Sequence, residues 1–327
     1  MRHLTAILTV FVFLLCSCKG DGTVPEFVSE PSEESKISAA VTTASSNPNC
    51  TAIVPFYWEI GNATSVLASG SAGNGTVTRT TNMPIASATK WLFGAYVIQR
   101  LNGTLDNTTE KHLRMLAGYT SFGNLSCIGT NTVQECANVG TNSQYTAAND
   151  NKFFYGGGHF QKWAVDNAMG TLTRAQLRTE FQTQLGADVE LTFGSPQLAG
   201  GVNTNAANYA RFLQKVLGSQ LLIRTYLGAN STCTLPAVCP SAISSPVPVA
   251  WHYSYGHWVE DDESGDGSFS SAGLFGFYPW INASKTLYGI ISRNEVPAGG
   301  GNEIGSGWAS YLCGREIRQA YETGVAR

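Results

Sequence analysis

Hydrophobic positions fall into distinct patterns along the 327 residues. Leu4–Leu15 is an uncharged run rich in Leu, Val and Phe behind the polar start Arg2-His3. It is too short for a typical membrane span and has the length of a signal-peptide core. Residues 19–48 are rich in Ser, Glu, Thr, Pro and Ala, with Phe27 the one aromatic, and read as a disordered tether. Ile53–Ile60 and Ser65–Ser71 read as two strands of a hairpin around Gly61-Asn62. Trp91–Ile98 is hydrophobic nearly all round, which predicts a buried central helix. Thr173–Leu185 and Asn205–Leu217 have helical periodicity with one apolar face. Strand signals return at Trp251–Val259, Phe269–Ile281 and Thr286–Ser292, and a last helix is predicted over Gly307–Thr323. Residues 105–150 are polar and lack periodicity. Strands at both ends with helices between them predict an α/β (α+β) fold. Its α/β lobe would comprise about 50–85 and 250–327, and its helical lobe about 86–249.

Composition narrows the classes of function. Hydrophobic residues at 43% against 13% charged imply that most of the chain folds. The net charge is −3, with Lys and Arg scattered, which argues against a nucleic-acid partner. Leu15-Cys16-Ser17-Cys18 resembles a bacterial lipobox. On that reading residues 1–18 are removed or modified, and Cys18 carries a lipid that holds the domain at a membrane, facing the periplasm or cell surface. The tether would then reach on the order of 100 Å when extended. An ordinary secretory signal is the alternative, and eight Asn-x-Ser/Thr sequons, Asn62, Asn74, Asn107 and Asn282 among them, keep a secreted eukaryotic origin open.

Six further cysteines suit disulfides in an exported chain, although six allow 15 pairings. Proximity favours Cys127–Cys136 and Cys233–Cys239, leaving Cys50–Cys313 to join the two ends of the fold. No C-x-x-C pair and no H-E-x-x-H is present, so no metal site is expected.

The sharpest local chemistry is Ser87-Ala88-Thr89-Lys90. Residues three apart on a helix share a face. A serine hydroxyl needs a neighbouring base to become a nucleophile. A lysine serves as that base only when neutral, so its pKa must fall from about 10.4 towards 7. Burial beside Trp91, Leu92 and Phe93 pushes in that direction. Lys90 is the only one of eight lysines with Ser three residues before it. No G-x-S-x-G elbow is present.

Around this pair the chain resembles the serine β-lactamase and penicillin-binding-protein-like superfamily, notably the class C β-lactamase and family VIII esterase branch. Pro84-Ile85-Ala86-Ser87-Ala88-Thr89-Lys90 resembles its nucleophile helix, and residues 112–121 (HLRMLAGYTS) its LLTHTSG stretch. Phe153-Phe154-Tyr155-Gly156-Gly157 falls where the family carries Tyr-x-Asn. Residues 198–204 (LAGGVNT), running into Ala210-Arg211-Phe212, resemble its AGG segment. Tyr255-Gly256-His257-Trp258 precedes Ser271-Ala272-Gly273, which occupies the place of Lys/His-Thr-Gly. The resemblance covers about residues 52–318 and implies a β-lactamase-like antiparallel sheet flanked by helices, with an inserted helical lobe.

It also implies roles. Ser87 would be acylated, Lys90 would activate it, and Tyr155 would share the proton transfers. The backbone N–H groups of Ser87 and Leu274 would form the oxyanion hole. Gly157, Ser271, Ala272 and Gly273 would meet the substrate. No cofactor is implied. Gly157 stands where the family has Asn, and Ser271 where it has a cation that binds a substrate carboxylate. Both departures favour a carboxylesterase or amidase acting on a neutral small-molecule ester, amide or peptide over a β-lactamase or DD-peptidase-like enzyme. A non-catalytic ligand-binding protein on the same fold is the rival from another class. His159 is expected on a helix surface, His252 and His257 in packing or hydrogen-bonding roles. Arg293 is expected near the cleft as a candidate anion ligand.

Overall fold

The computed structural model describes residues 30–123, 125–296 and 305–327. The predicted signal segment with Cys18, and the first part of the predicted tether, lie outside the described residues. The first hairpin forms as predicted: strands β1 (Phe56–Gly61) and β2 (Val66–Ala72) are antiparallel, with Tyr57 opposite Ser71. Their sheet is completed from the C-terminal third. Strands β3 (Thr232–Cys233), β4 (His252–Ser254), β5 (His257–Glu260), β6 (Ser268–Ser270), β7 (Tyr278–Ile281) and β8 (Tyr288–Ser292) join it. The order across the sheet is β2-β1-β8-β7-β6-β5-β4-β3, antiparallel throughout.

Two predicted strands prove to be strand pairs. Trp251–Val259 breaks at Tyr255-Gly256, where Gly256 takes φ +84° to turn the chain. Phe269–Ile281 breaks at residues 271–277, a loop whose buried residues mimic strand hydrophobicity. Every residue of β5 to β8 is buried, so helices cover both faces.

Helix α1 (Glu33–Ser46) corrects the predicted tether, because half of that segment is folded. Ser32 caps it by accepting from Ser35 N at 3.2 Å, and Glu33 and Glu34 occupy its first turn, where the helix dipole favours them. Its buried face is Ala39, Ala40, Thr43 and Ala44. Such small side chains give little periodic signal but allow close docking on the C-terminal helix. The folded region therefore begins at Ser32 rather than at residue 49, and Ser32–Arg327 is one compact unit.

The predicted helices follow, each close to its predicted range. Central helix α2 (Thr89–Arg100) is buried from Thr89 to Ile98. Helix α3 (Gly158–Ala164), which had no predicted range, follows the Tyr155 segment. Helices α4 (Arg174–Leu185) and α5 (Ala206–Leu217) are capped by Thr173 and Asn205, and α6 (Gly305–Thr323) closes the chain. Within 105–150 the structure adds short helices Asn107–Leu113 and Val133–Ala137, too short to leave a period in the sequence. No described helix is long and apolar enough to cross a membrane.

Gly94 and Gly256 let α2 lie directly on the β4–β5 turn, since a Cβ on Gly94 would sit 2.3 Å from Tyr255 O. The disulfides pair Cys50–Cys313, Cys127–Cys136 and Cys233–Cys239. A buried ionic cluster fastens α6 to the sheet. Arg318 Nη2 lies 2.8 Å from Glu260 and 2.8 Å from Asp266, and Tyr278 Oη donates to Glu260 at 2.7 Å.

Candidate active site

Ser87 sits in a single 3-10 turn, Ala86–Ala88, that leads into α2. The turn is held from several sides. Met83-Pro84 pairs with Val202–Thr204, Ile85 N donates to Val202 O at 3.0 Å, and Tyr209 Oη donates to Ala88 O at 2.9 Å. Ser271 Oγ donates to the carbonyl of Ser87 at 3.1 Å. Ala86 takes φ +44°, a left-handed conformation that costs a non-glycine residue about 1–2 kcal/mol. The surrounding bonds maintain that strain immediately before the candidate nucleophile. No periodicity or motif in the sequence signals it.

Lys90 lies one turn further on and is 5% exposed. Its Nζ donates to Ser87 Oγ at 2.9 Å and to the carbonyl of Ala199 at 2.9 Å. It also lies 4.6 Å from the centroid of the Tyr155 ring. That ring stacks on Trp258 at 5.1 Å and meets Tyr253 edge-on at 5.9 Å, so its plane is fixed by packing. The three residues chosen from the sequence are thus brought together.

The structure adds Gln161, which sequence reasoning missed. Fully buried on α3, it donates to Val133 O and Pro196 O at 3.0 Å and accepts from Leu198 N at 3.1 Å. It fixes the strand of chain that presents the Ala199 carbonyl to Lys90. A lone amide between Phe160 and Trp163 was the available signal.

A cavity of about 250 Å³ contains Ser87, Lys90, Tyr155 and Leu274. Its remaining lining is largely apolar, with Ser195, Gln197 and Asn203 as the neutral polar contributors. Among the described residues, Lys90 is the one charged side chain that lines it.

The four residues expected to meet the substrate do not line this cavity. Ser271 and Ala272 are 2% exposed and lie behind the nucleophile turn. Gly273 is pressed against it, since a Cβ there would lie 2.2 Å from Ile85 O. A Cβ on Gly157 would lie 2.8 Å from the Phe122 ring, so Phe122 fills the place of a side chain at that position. Gly158 is equally confined, since a Cβ there would lie 2.5 Å from Tyr119 O. Gly157 and Gly158 therefore permit close packing, while Gly156 lines the cavity beside Tyr155.

Two histidine readings and one arginine reading resolve as well. His159 is wholly buried, not on a helix surface: its Nδ1 accepts from Ala117 N at 3.3 Å, which leaves Nε2–H to donate to Phe154 O at 3.1 Å. Burial pushes its pKa down to about 3. His257 packs on Trp91 with centroids 5.5 Å apart and is likewise pushed down to about 3 by burial. His252 pairs with Asp261 at 2.9 Å. Arg293 pairs with Glu295 and lines a different cavity, beside Asn82 and Pro55, so it does not face the candidate nucleophile. No group of three His, Cys, Asp or Glu side chains among the described residues is placed to hold a metal.

Solved structures share this architecture. The hydrolase EstCE1, described as having promiscuous acyltransferase activity, superposes with a TM-score of 0.65 at 11% identity, over 89% of this chain and 99% of its own. FmtA from Staphylococcus aureus gives 0.62 at 12%, over 93% and 92%. A Bacteroides dorei protein provisionally named a β-lactamase gives 0.53 at 21%, over 81% and 93%. The fold is β-lactamase-like. Identities this low establish the fold alone. No family model matches the chain, and no curated protein matches it in sequence. Within the β-lactamase-like fold, Ser87 stands at the start of the central helix and Leu274 in the loop between β6 and β7, and both line one cavity.

Proposed function

We propose that this protein is an exported serine hydrolase that acts through an acyl-enzyme on a neutral ester or amide. The observation that carries the reading is the 2.9 Å contact between Lys90 Nζ and Ser87 Oγ inside a cavity shared with Tyr155. A neutral amine keeps two N–H bonds and one lone pair. Lys90 would donate to Ala199 O and accept the Ser87 proton as Oγ attacks the substrate carbonyl. The backbone N–H groups of Ser87 and Leu274 would hold the oxyanion. The proton taken by Lys90, passed directly or by way of the Tyr155 phenol, would go to the leaving group. Water would then release the acyl group by the reverse route.

A neutral substrate is favoured because Lys90, engaged with Ser87, is the one cation lining the cavity among the described residues. Among the described residues, nothing else charged lines the cavity to pair with the carboxylate of a penicillin. A fluorophosphonate probe is expected to label wild-type protein at Ser87, and p-nitrophenyl butyrate is expected to turn over faster than nitrocefin. Absence of labelling under conditions that label a control hydrolase would overturn the enzyme reading in favour of a binding protein. Faster nitrocefin turnover would reverse the substrate preference.

Three disulfides fit an oxidising compartment. We place the mature protein on a membrane through a lipid at Cys18. Mass spectrometry of the mature N-terminus is expected to find a diacylglyceryl-modified Cys18, and an unmodified N-terminus refutes the anchor.

A further inference from the structure

Leu125 and Ile128 are large apolar residues that are 70% and 71% exposed, yet both line the cavity that holds Ser87. They share one turn, closed by Ile128 N donating to Leu125 O at 3.2 Å. The loop around them is built to stay in place. Cys127, between the two, is bonded to Cys136. Asn142, 2% exposed, accepts from Gly123 N at 2.9 Å and donates to Ser126 Oγ at 2.7 Å and to Cys136 O at 2.8 Å. A stapled loop thus presents two apolar side chains to water at the mouth of the cavity. Phe275 and Pro84 are further apolar residues of the lining that holds Ser87.

Scattered exposed leucines are ordinary, but a paired apolar surface continuous with a reactive cavity marks a binding surface. We infer that the Leu125–Ile128 turn, stapled by the Cys127–Cys136 disulfide, is the specificity element, and that the preferred substrate carries an unbranched apolar chain of medium length, held between Leu125, Ile128 and Phe275. The inference rests on the hydrolase reading for the reaction but not for the recognition. The surface would bind such a chain whether or not Ser87 turns it over.

The test compares p-nitrophenyl acetate with p-nitrophenyl octanoate on wild type and on the double variant Leu125→Ser, Ile128→Ser. Both side chains are exposed, so the variant is expected to fold with an unchanged melting temperature. Wild type is expected to favour octanoate in kcat/KM by at least about tenfold, mainly through KM, and the double variant to lose most of that ratio. A parallel calorimetric titration of the Ser87→Ala protein with octanoate and acetate esters reads recognition without turnover. Its octanoate preference is expected to vanish when Leu125→Ser and Ile128→Ser are added. If Ser87 reacts with the probe but wild type shows no preference for octanoate, or the double variant keeps it, the inference fails and the hydrolase reading stands. If Ser87 does not react but the calorimetric preference exists and depends on the loop, the hydrolase reading fails and the inference stands. Failure of both measurements overturns both.

Discussion

Ser87→Ala is expected to lower kcat/KM for ester hydrolysis by about 10⁴–10⁶-fold, and Lys90→Ala by about 10³-fold or more. The double variant is expected to be little worse than Ser87→Ala alone. Groups that act as a unit lose their joint contribution when either is removed, so the losses do not add. Additive losses would mean that Lys90 acts independently of Ser87, against the 2.9 Å contact between them.

Lys90→Arg separates two roles for the same residue. A guanidinium retains the positive charge but does not lose its proton in proteins. If Lys90 is the base, Lys90→Arg is expected to be as inactive as Lys90→Ala. If its charge alone matters, Arg rescues. Recovery of more than about a tenth of wild-type activity in Lys90→Arg would remove the base from the mechanism. Melting temperatures of each variant, measured beside the kinetics, guard against loss of the fold. That control matters because Lys90 is buried and bonded to Ala199 O.

The features legible in the sequence were those with a local pattern. Gly61-Asn62 marks the turn between β1 and β2, α2 is apolar on every side, and Thr173 and Asn205 stand where helix caps belong. Ser87 and Lys90 are three residues apart, so helical geometry alone brings them together. Tyr155, 65 positions beyond Lys90, was found through its place in an ordered set of motifs, because contact across that separation leaves no periodic trace.

The features that escaped were set by tertiary contact. Helix α1 buries alanines, whose burial carries little hydrophobic contrast. Gly157 read as the loss of a functional amide, whereas the space belongs to Phe122 from another loop. Ser271 read as a substrate contact, whereas its hydroxyl bonds the nucleophile's own carbonyl. In each case residue type was read correctly and direction was not. Side-chain direction depends on which tertiary neighbours pack against the residue, and that is information the flanking residues do not hold.

Removing the charge that anchors the last helix carries the largest expected stability effect. Arg318→Met is expected to destabilise the fold by about 3–5 kcal/mol, the usual consequence of leaving a buried partner uncompensated. For a chain of this size that corresponds to a fall in melting temperature of roughly 10 °C. The orphaned partner is Glu260, 1% exposed, whose pKa burial already raises while Arg318 opposes the rise. Without Arg318 the opposing influence is gone and the folded-state pKa climbs further. A group with a raised folded pKa supports the fold fully below its unfolded value, near 4.3 for glutamate, and loses that support as pH rises through the folded value. Asp266 changes the balance in the same direction. Desolvation raises its pKa, but Arg318 and other partners outweigh it and hold the carboxyl below its usual value, so wild type gains stability above about pH 4 that the variant lacks. The gap between wild type and Arg318→Met should therefore be widest near neutral pH and narrow as pH falls towards 4. There Glu260 protonates and keeps its 2.7 Å hydrogen bond with Tyr278. Thermal unfolding of both proteins at pH 7 and pH 4 measures it directly. Other titrating groups, including the buried His159 and His257, are common to the two proteins and cancel in the difference. A gap that stays constant with pH would show that Arg318 holds α6 by packing against Trp280, 5.0 Å from its guanidinium, rather than by charge.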